Sequence, residues 1–115
     1  MNNIKLNEGS KPSQIQLELV VFEEDGYQVA YSPALDLAGQ GNTVEEAISA
    51  LKETVEITLK YASANKTLHQ MLLGLGWTLQ EKPKHNYVPP KFLDIDLKKS
   101  LHVKKFSRQT IPVMA

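Results

Sequence analysis

Three histidines, His69, His85 and His102, are the side chains best suited to move a proton near neutral pH, and the chain has no cysteine. The histidines fall in three different expected elements. None has Asp or Glu neighbours at metal-ligand spacing. Ser32 and Ser49 lack a flanking motif that would activate a hydroxyl. Glu45 and Glu46 are adjacent within an expected helix, so their carboxylates diverge and read as charges on a helix N-terminus. Glu23, Asp25 and Asp36 offer carboxylates for paired acid–base work, yet no spacing selects them. Gly39-x-Gly41 precedes a helix but is too short for a dinucleotide fingerprint, and is read as setting a sharp entry into that helix. These residues predict no enzyme, no cofactor and no metal.

Charge points to binding instead. The chain of 115 residues is formally neutral. Residues 1–81 nevertheless carry eleven acidic and five basic side chains, a net of −6, and residues 82–115 carry two acidic and eight basic ones, a net of +6. In the basic part, Lys98, Lys99, Lys104, Lys105 and Arg108 are interleaved with His102 and Phe106. That mixture can grip phosphates and stack a base. It also suits an edge strand whose lysines discourage unwanted pairing, or a surface that neutralises the acidic part within the fold or between subunits. No apolar run approaches the length of a membrane span, and residues 1–11 are too polar for an export signal. A cytoplasmic protein without a membrane partner is the expectation.

The elements that must position these side chains centre on residues 15–62. Ile15, Leu17, Leu19 and Val21 alternate with Gln16, Glu18, Val20 and Phe22, the pattern of a strand buried on one face and partly apolar on the other. Asp25-Gly26 signals a hairpin turn, and Tyr27, Val29 and Tyr31 return. Pro33 ends that strand, and a short third strand is expected around residues 37–40. Thr43 caps a helix running to about Ala62, and Glu46 completes a capping box. Val44, Ile48, Leu51, Val55 and Leu59 form its apolar stripe. Leu68, Met71, Leu72 and Leu75 predict a second short helix ended by Gly74 and Gly76, with a strand starting at Trp77. Residues 1–14 read as a flexible lead-in and 82–90 as a linker. The alternation of Leu93, Ile95 and Leu97 predicts a short strand, with more strand pattern through Ser107. Val20, Phe22, Trp77, Phe92 and Ile111 exceed what one small sheet and one helix need. They are candidates for a subunit interface, although the C-terminal segment could equally cover the outer strand face.

Glu24-Asp25-Gly26-Tyr27, then Ser32-Pro33-Ala34-Leu35-Asp36-Leu37, then Gly41-Asn42-Thr43-Val44-Glu45-Glu46-Ala47 together resemble the HicB-like antitoxin family over about residues 15–59. The resemblance implies a β-β-β-α-β core related to RNase-H-like or double-stranded-RNA-binding folds, without nuclease activity. It also implies dimers or higher oligomers that bind and block a small RNA-cleaving toxin. Many members add a C-terminal ribbon-helix-helix or helix-turn-helix module; residues 82–115 resemble neither. The matching positions, Gly26, Pro33, Leu35, Gly41, Thr43, Glu46 and Ala47, suit turns, caps and close packing rather than chemistry.

The expectation is therefore an α+β protein: a small antiparallel sheet packed by one long amphipathic helix, with a HicB-like core over 15–81 and extra strand material in a basic extension over 82–115. It is expected to form a homodimer and to neutralise a small basic toxin by contact, with Glu23, Glu24, Asp25 and Asp36 meeting that toxin. The alternatives are a nucleic-acid-binding regulator using the basic segment, and an interaction protein with no toxin.

Overall fold

The computed structural model describes residues 4–5, 14–80, 86–103 and 105–114. In chain order these form β1 (Ile4–Lys5), β2 (Gln14–Glu24), β3 (Tyr27–Ser32), β4 (Leu37–Gly41), α1 (Val44–Ala64), α2 (Leu68–Gly74), β5 (Thr78–Gln80), β6 (Asn86–Val88), α3 (Asp94–Leu101) and β7 (Ser107–Met114). The strands make two antiparallel sheets, a four-stranded one in the order β4-β3-β2-β7 and a three-stranded one in the order β1-β6-β5. The protein is α+β, and no described helix is long and apolar enough to cross a membrane.

The β2–β3 hairpin turns at Asp25 and Gly26, whose φ angles of 52° and 82° are both positive. Two-residue turns of this kind match the right-handed twist of the strands, and Asp and Gly tolerate the left-handed region best. Beyond it, Ile15, Leu17, Leu19 and Val21 line the inner face of β2 and pack with Ala47, Leu51, Val55 and Leu59 of α1. Thr43 caps α1 as expected: its Oγ1 accepts from the Glu46 N–H at 3.1 Å. The return bond differs by one residue, because Glu46 Oε2 accepts from the Asn42 N–H at 2.9 Å rather than from Thr43.

Gly39 and Gly41 do more than admit the chain to the helix. A Cβ on Gly39 would run into the Leu51 backbone nitrogen and lie 2.5 Å from the Ala47 carbonyl oxygen. On Gly41 it would lie 2.5 Å from Glu46 Cβ and 2.8 Å from the Ala47 nitrogen. The two glycines let α1 rest backbone-to-backbone on β4, so their role is packing as well as entry.

The C-terminal part completes this body. Along β7 the ladder to β2 runs from Gln14↔Met114 to Val21↔Ser107, and Ile111 and Val113 enter the main core. Pro112 sits on this edge strand, where a missing N–H is tolerated. Residues 94–101 are a helix, not the expected strand. Over eight residues the Leu93–Ile95–Leu97 alternation competes with the i,i+4 pair Leu97–Leu101. Asp94 and Asp96 in the first turn and Lys98 and Lys99 in the last also suit the helix dipole. Burial follows the helix: Leu97 is covered, whereas Leu93 and Ile95 are 66% and 72% exposed. The strand pattern expected through Ser107 begins only at Ser107 itself. Within the expected lead-in, Ile4 and Lys5 pair with β6; the remainder up to residue 13 lies outside the described residues.

The closeness of Gly39 to α1 has a measurable consequence. Gly39→Ala should destabilise the fold by about 2–3 kcal/mol in chemical denaturation, because backbone cannot yield as a side chain does. Gly74→Ala meets nothing within 4 Å and should be neutral or stabilising by up to ~1 kcal/mol.

Candidate functional site

Register places the acidic candidates. Glu23 pairs with Gln28, and Gln28 pairs with Gly41 on its other side. The hairpin tip and the start of α1 therefore share one end of the main sheet, about 10 Å from Glu23 to Gly41 at ordinary strand spacing. Glu23, Glu24 and Asp25 come from the tip, and Glu45 and Glu46 from the first turn of α1. All five are exposed, and none joins an ion pair among the described residues. Asp36 does not belong with them. It lies beyond the far end of β3, where Ser32 pairs with Leu37.

Asp36 instead helps hold the β3–β4 loop. Its φ of 54° is left-handed, its N–H donates to the Ser32 carbonyl at 2.8 Å, and its Oδ1 accepts from the Tyr31 hydroxyl at 2.7 Å. Burial first, then the hydrogen bond to Asp36 and its charge, push the Tyr31 phenol up to about 12. Ser32, fully buried, accepts from the Leu35 N–H through Oγ at 3.3 Å. Trp77 Nε1 donates to the Ala34 carbonyl at 2.6 Å, tying the loop to the segment after α2. Pro33 and Leu35 are buried here.

The basic candidates are divided. Arg108 donates through Nε to Asp94 Oδ1 at 2.8 Å, through Nη2 to the Phe92 carbonyl at 2.7 Å, and through Nη1 to Glu18. Burial alone would lower its pKa, but the hydrogen bond to Asp94 and the charges of Glu18 and Asp94 outweigh it and raise it. Arg108 thus pins the start of α3 to the sheet. Lys98 and Arg108 each approach the Phe106 ring at 6.0 Å, the outer limit for cation–π attraction. Lys98, Lys99 and Lys105 are exposed, and Lys104 lies outside the described residues.

The five apolar residues held for a subunit interface are accounted for within the chain. Val20 and Phe22 lie under Leu97 of α3, with Val29, Tyr31, Phe92, Leu101, Val103 and Phe106 around them. Of the two covers open for that strand face, the C-terminal segment supplies it. Trp77 and Ile111 are buried in the main core, and Phe92 packs against both clusters.

The histidines do not converge. His69, on α2, shares a hydrogen bond with the buried Tyr87 hydroxyl, whose pKa burial raises. His102 ends α3 in the left-handed region, and His85 lies outside the described residues. No group of three His, Cys, Asp or Glu gathers as a metal site among the described residues.

Comparison with known proteins adds little. No family profile and no solved structure matches the chain. It is similar to the N-terminal section of the carbamoyl phosphate synthase large chain from Methanopyrus kandleri, 37% identical over 65 residues. That covers 56% of this chain, but the chain spans only 11% of that relative's length.

Two measurements test these assignments. A phenol raised in the folded state contributes stability that is fully present below pH 10 and lost as pH climbs through about 12. Tyr31→Phe should therefore lose less stability over that interval than the parent, and an ultraviolet titration of Asp36→Asn should show one tyrosine ionising earlier. Arg108→Met should cost about 1–2 kcal/mol, allowing for solvent screening, and should speed amide exchange in α3 while leaving α1 protected.

Proposed function

We propose that this chain acts by holding a protein partner, as a HicB-like antitoxin that binds a small basic RNA-cleaving toxin. The observation that carries the reading is the acidic end of the main sheet. Five exposed carboxylates from two elements meet there, and no described cation pairs with them. A rigid hairpin tip and a capped helix start fix those charges without ordering cost, which favours fast, steered association with a basic surface. The matching motifs support the reading from the other side. Gly41, Thr43, Glu46 and Ala47 build the helix start that presents Glu45 and Glu46, and Gly26 closes the hairpin that presents Glu23, Glu24 and Asp25.

Co-expression with any small basic protein that a neighbouring gene encodes tests this. Growth rescue and co-purification are expected. Glu23→Lys with Glu24→Lys should weaken the complex by about tenfold or more, mainly by slowing association, with the thermal midpoint unchanged. Absence of any complex, or a complex indifferent to the reversal, overturns the reading.

A further inference from the structure

Helix α1 carries one row of side chains that the core does not use. Towards the sheet it buries Ala47, Leu51, Val55, Leu59 and Ala62. On the solvent side Lys52, Glu56 and Lys60 form a row of mixed charge at i,i+4 spacing. Between these two faces runs a third row, Glu46, Ala50, Thr54, Ile57 and Tyr61, at spacings of four, four, three and four. Ile57 and Tyr61 are 60% and 65% exposed and belong to neither hydrophobic cluster. Thr54 spends its hydroxyl on the Ala50 carbonyl at 3.0 Å, which leaves its methyl for a neighbour. The Tyr61 hydroxyl makes no hydrogen bond among the described residues. The row rises about 22 Å from Glu46 to Tyr61.

We propose that this row is the docking track for a helix of the partner, with lysine or arginine where it meets Glu45 and Glu46 and an apolar face along Ala50, Thr54, Ile57 and Tyr61. The proposal rests on the reading that the acidic sheet end holds a basic protein, and it adds the apolar contact that would hold that protein after encounter. Continuity comes first: the row starts at a carboxylate of the acidic end and turns apolar without a break. Charge agrees, because Glu53 borders the row, is exposed and joins no ion pair among the described residues, with Lys60 the one cation beside it. Phosphates of a nucleic acid or a lipid would meet carboxylates here. Shape favours a helix: Ala50 and Thr54 are small and half-buried, so a ridge of side chains can settle over them between larger neighbours. Tyr61, apolar in body with a free hydroxyl, is the kind of residue that anchors such contacts.

A synthetic amphipathic helix of leucine and lysine, about 18 residues or five turns long, tests this on the full chain without any toxin. In the nitrogen-15-labelled protein its shifts should follow residues 45–61. A control peptide with serine for leucine should bind about tenfold more weakly, and a leucine–glutamate peptide should not bind there. Ile57→Ser with Tyr61→Ser should cost the leucine–lysine peptide the same tenfold and keep the thermal midpoint, whereas Leu93→Ser with Ile95→Ser on α3 should change nothing. Binding that falls with Glu23→Lys and Glu24→Lys but ignores Ile57 and Tyr61 overturns the track and leaves the acidic end standing. Binding indifferent to both pairs removes both. Shifts centred on α3, equal affinity for the two lysine peptides, or sedimentation showing a dimer of the chain that Ile57→Ser with Tyr61→Ser dissociates also overturns the proposal.

Discussion

Between Gly39 and the turn of α1 from Ala47 to Leu51 there is no room for even one methyl group. That contact fixes how deep the helix sits. With backbone against backbone at β4, the larger side chains Leu51, Val55 and Leu59 reach the inner row of β2, and Ala30, paired with Gly39, stays small. The capping of α1 follows from the same constraint. The chain leaves Gly41 under Glu46, so the Glu46 carboxylate can turn back to the Asn42 N–H while Thr43 holds the Glu46 N–H. A helix seated this closely also leaves β4 at the margin, with α1 on one face and β3 on one side.

The outer face of the sheet answers to a second constraint. Val20 and Phe22 make β2 apolar on both faces over part of its length, so a single helix layer cannot satisfy it. α3 supplies the other layer with Leu97. Arg108 then fastens the helix start from below by three donated bonds, two of them to carboxylates. A lysine at this position would have one point charge where the guanidinium spans Glu18, Asp94 and the Phe92 carbonyl together. Arg108, one of the five basic residues considered for phosphate contact, is therefore occupied with structure.

Periodicity over long segments carried much of this fold. The alternation in residues 15–22, the Asp-Gly turn and the Thr43–Glu46 cap lead directly to β2, β3 and α1. Short segments carried little. Residues 94–101 hold too few apolar positions to separate a period of two from one of 3.6, and the tertiary cover needed over Phe22 decides for helix. The contacts that fix the β3–β4 loop and α3 were illegible for a different reason. Trp77 reaches Ala34 across 43 positions and Arg108 reaches Glu18 across 90, and no local pattern encodes such pairs. Gly39 left a faint signal, since a glycine pair ahead of a helix containing Ala47 and Ala50 is what close approach requires. The acidic candidates divide in the fold: Glu23, Glu24 and Asp25 share the sheet end with Glu45 and Glu46, while Asp36 serves Tyr31 at the other.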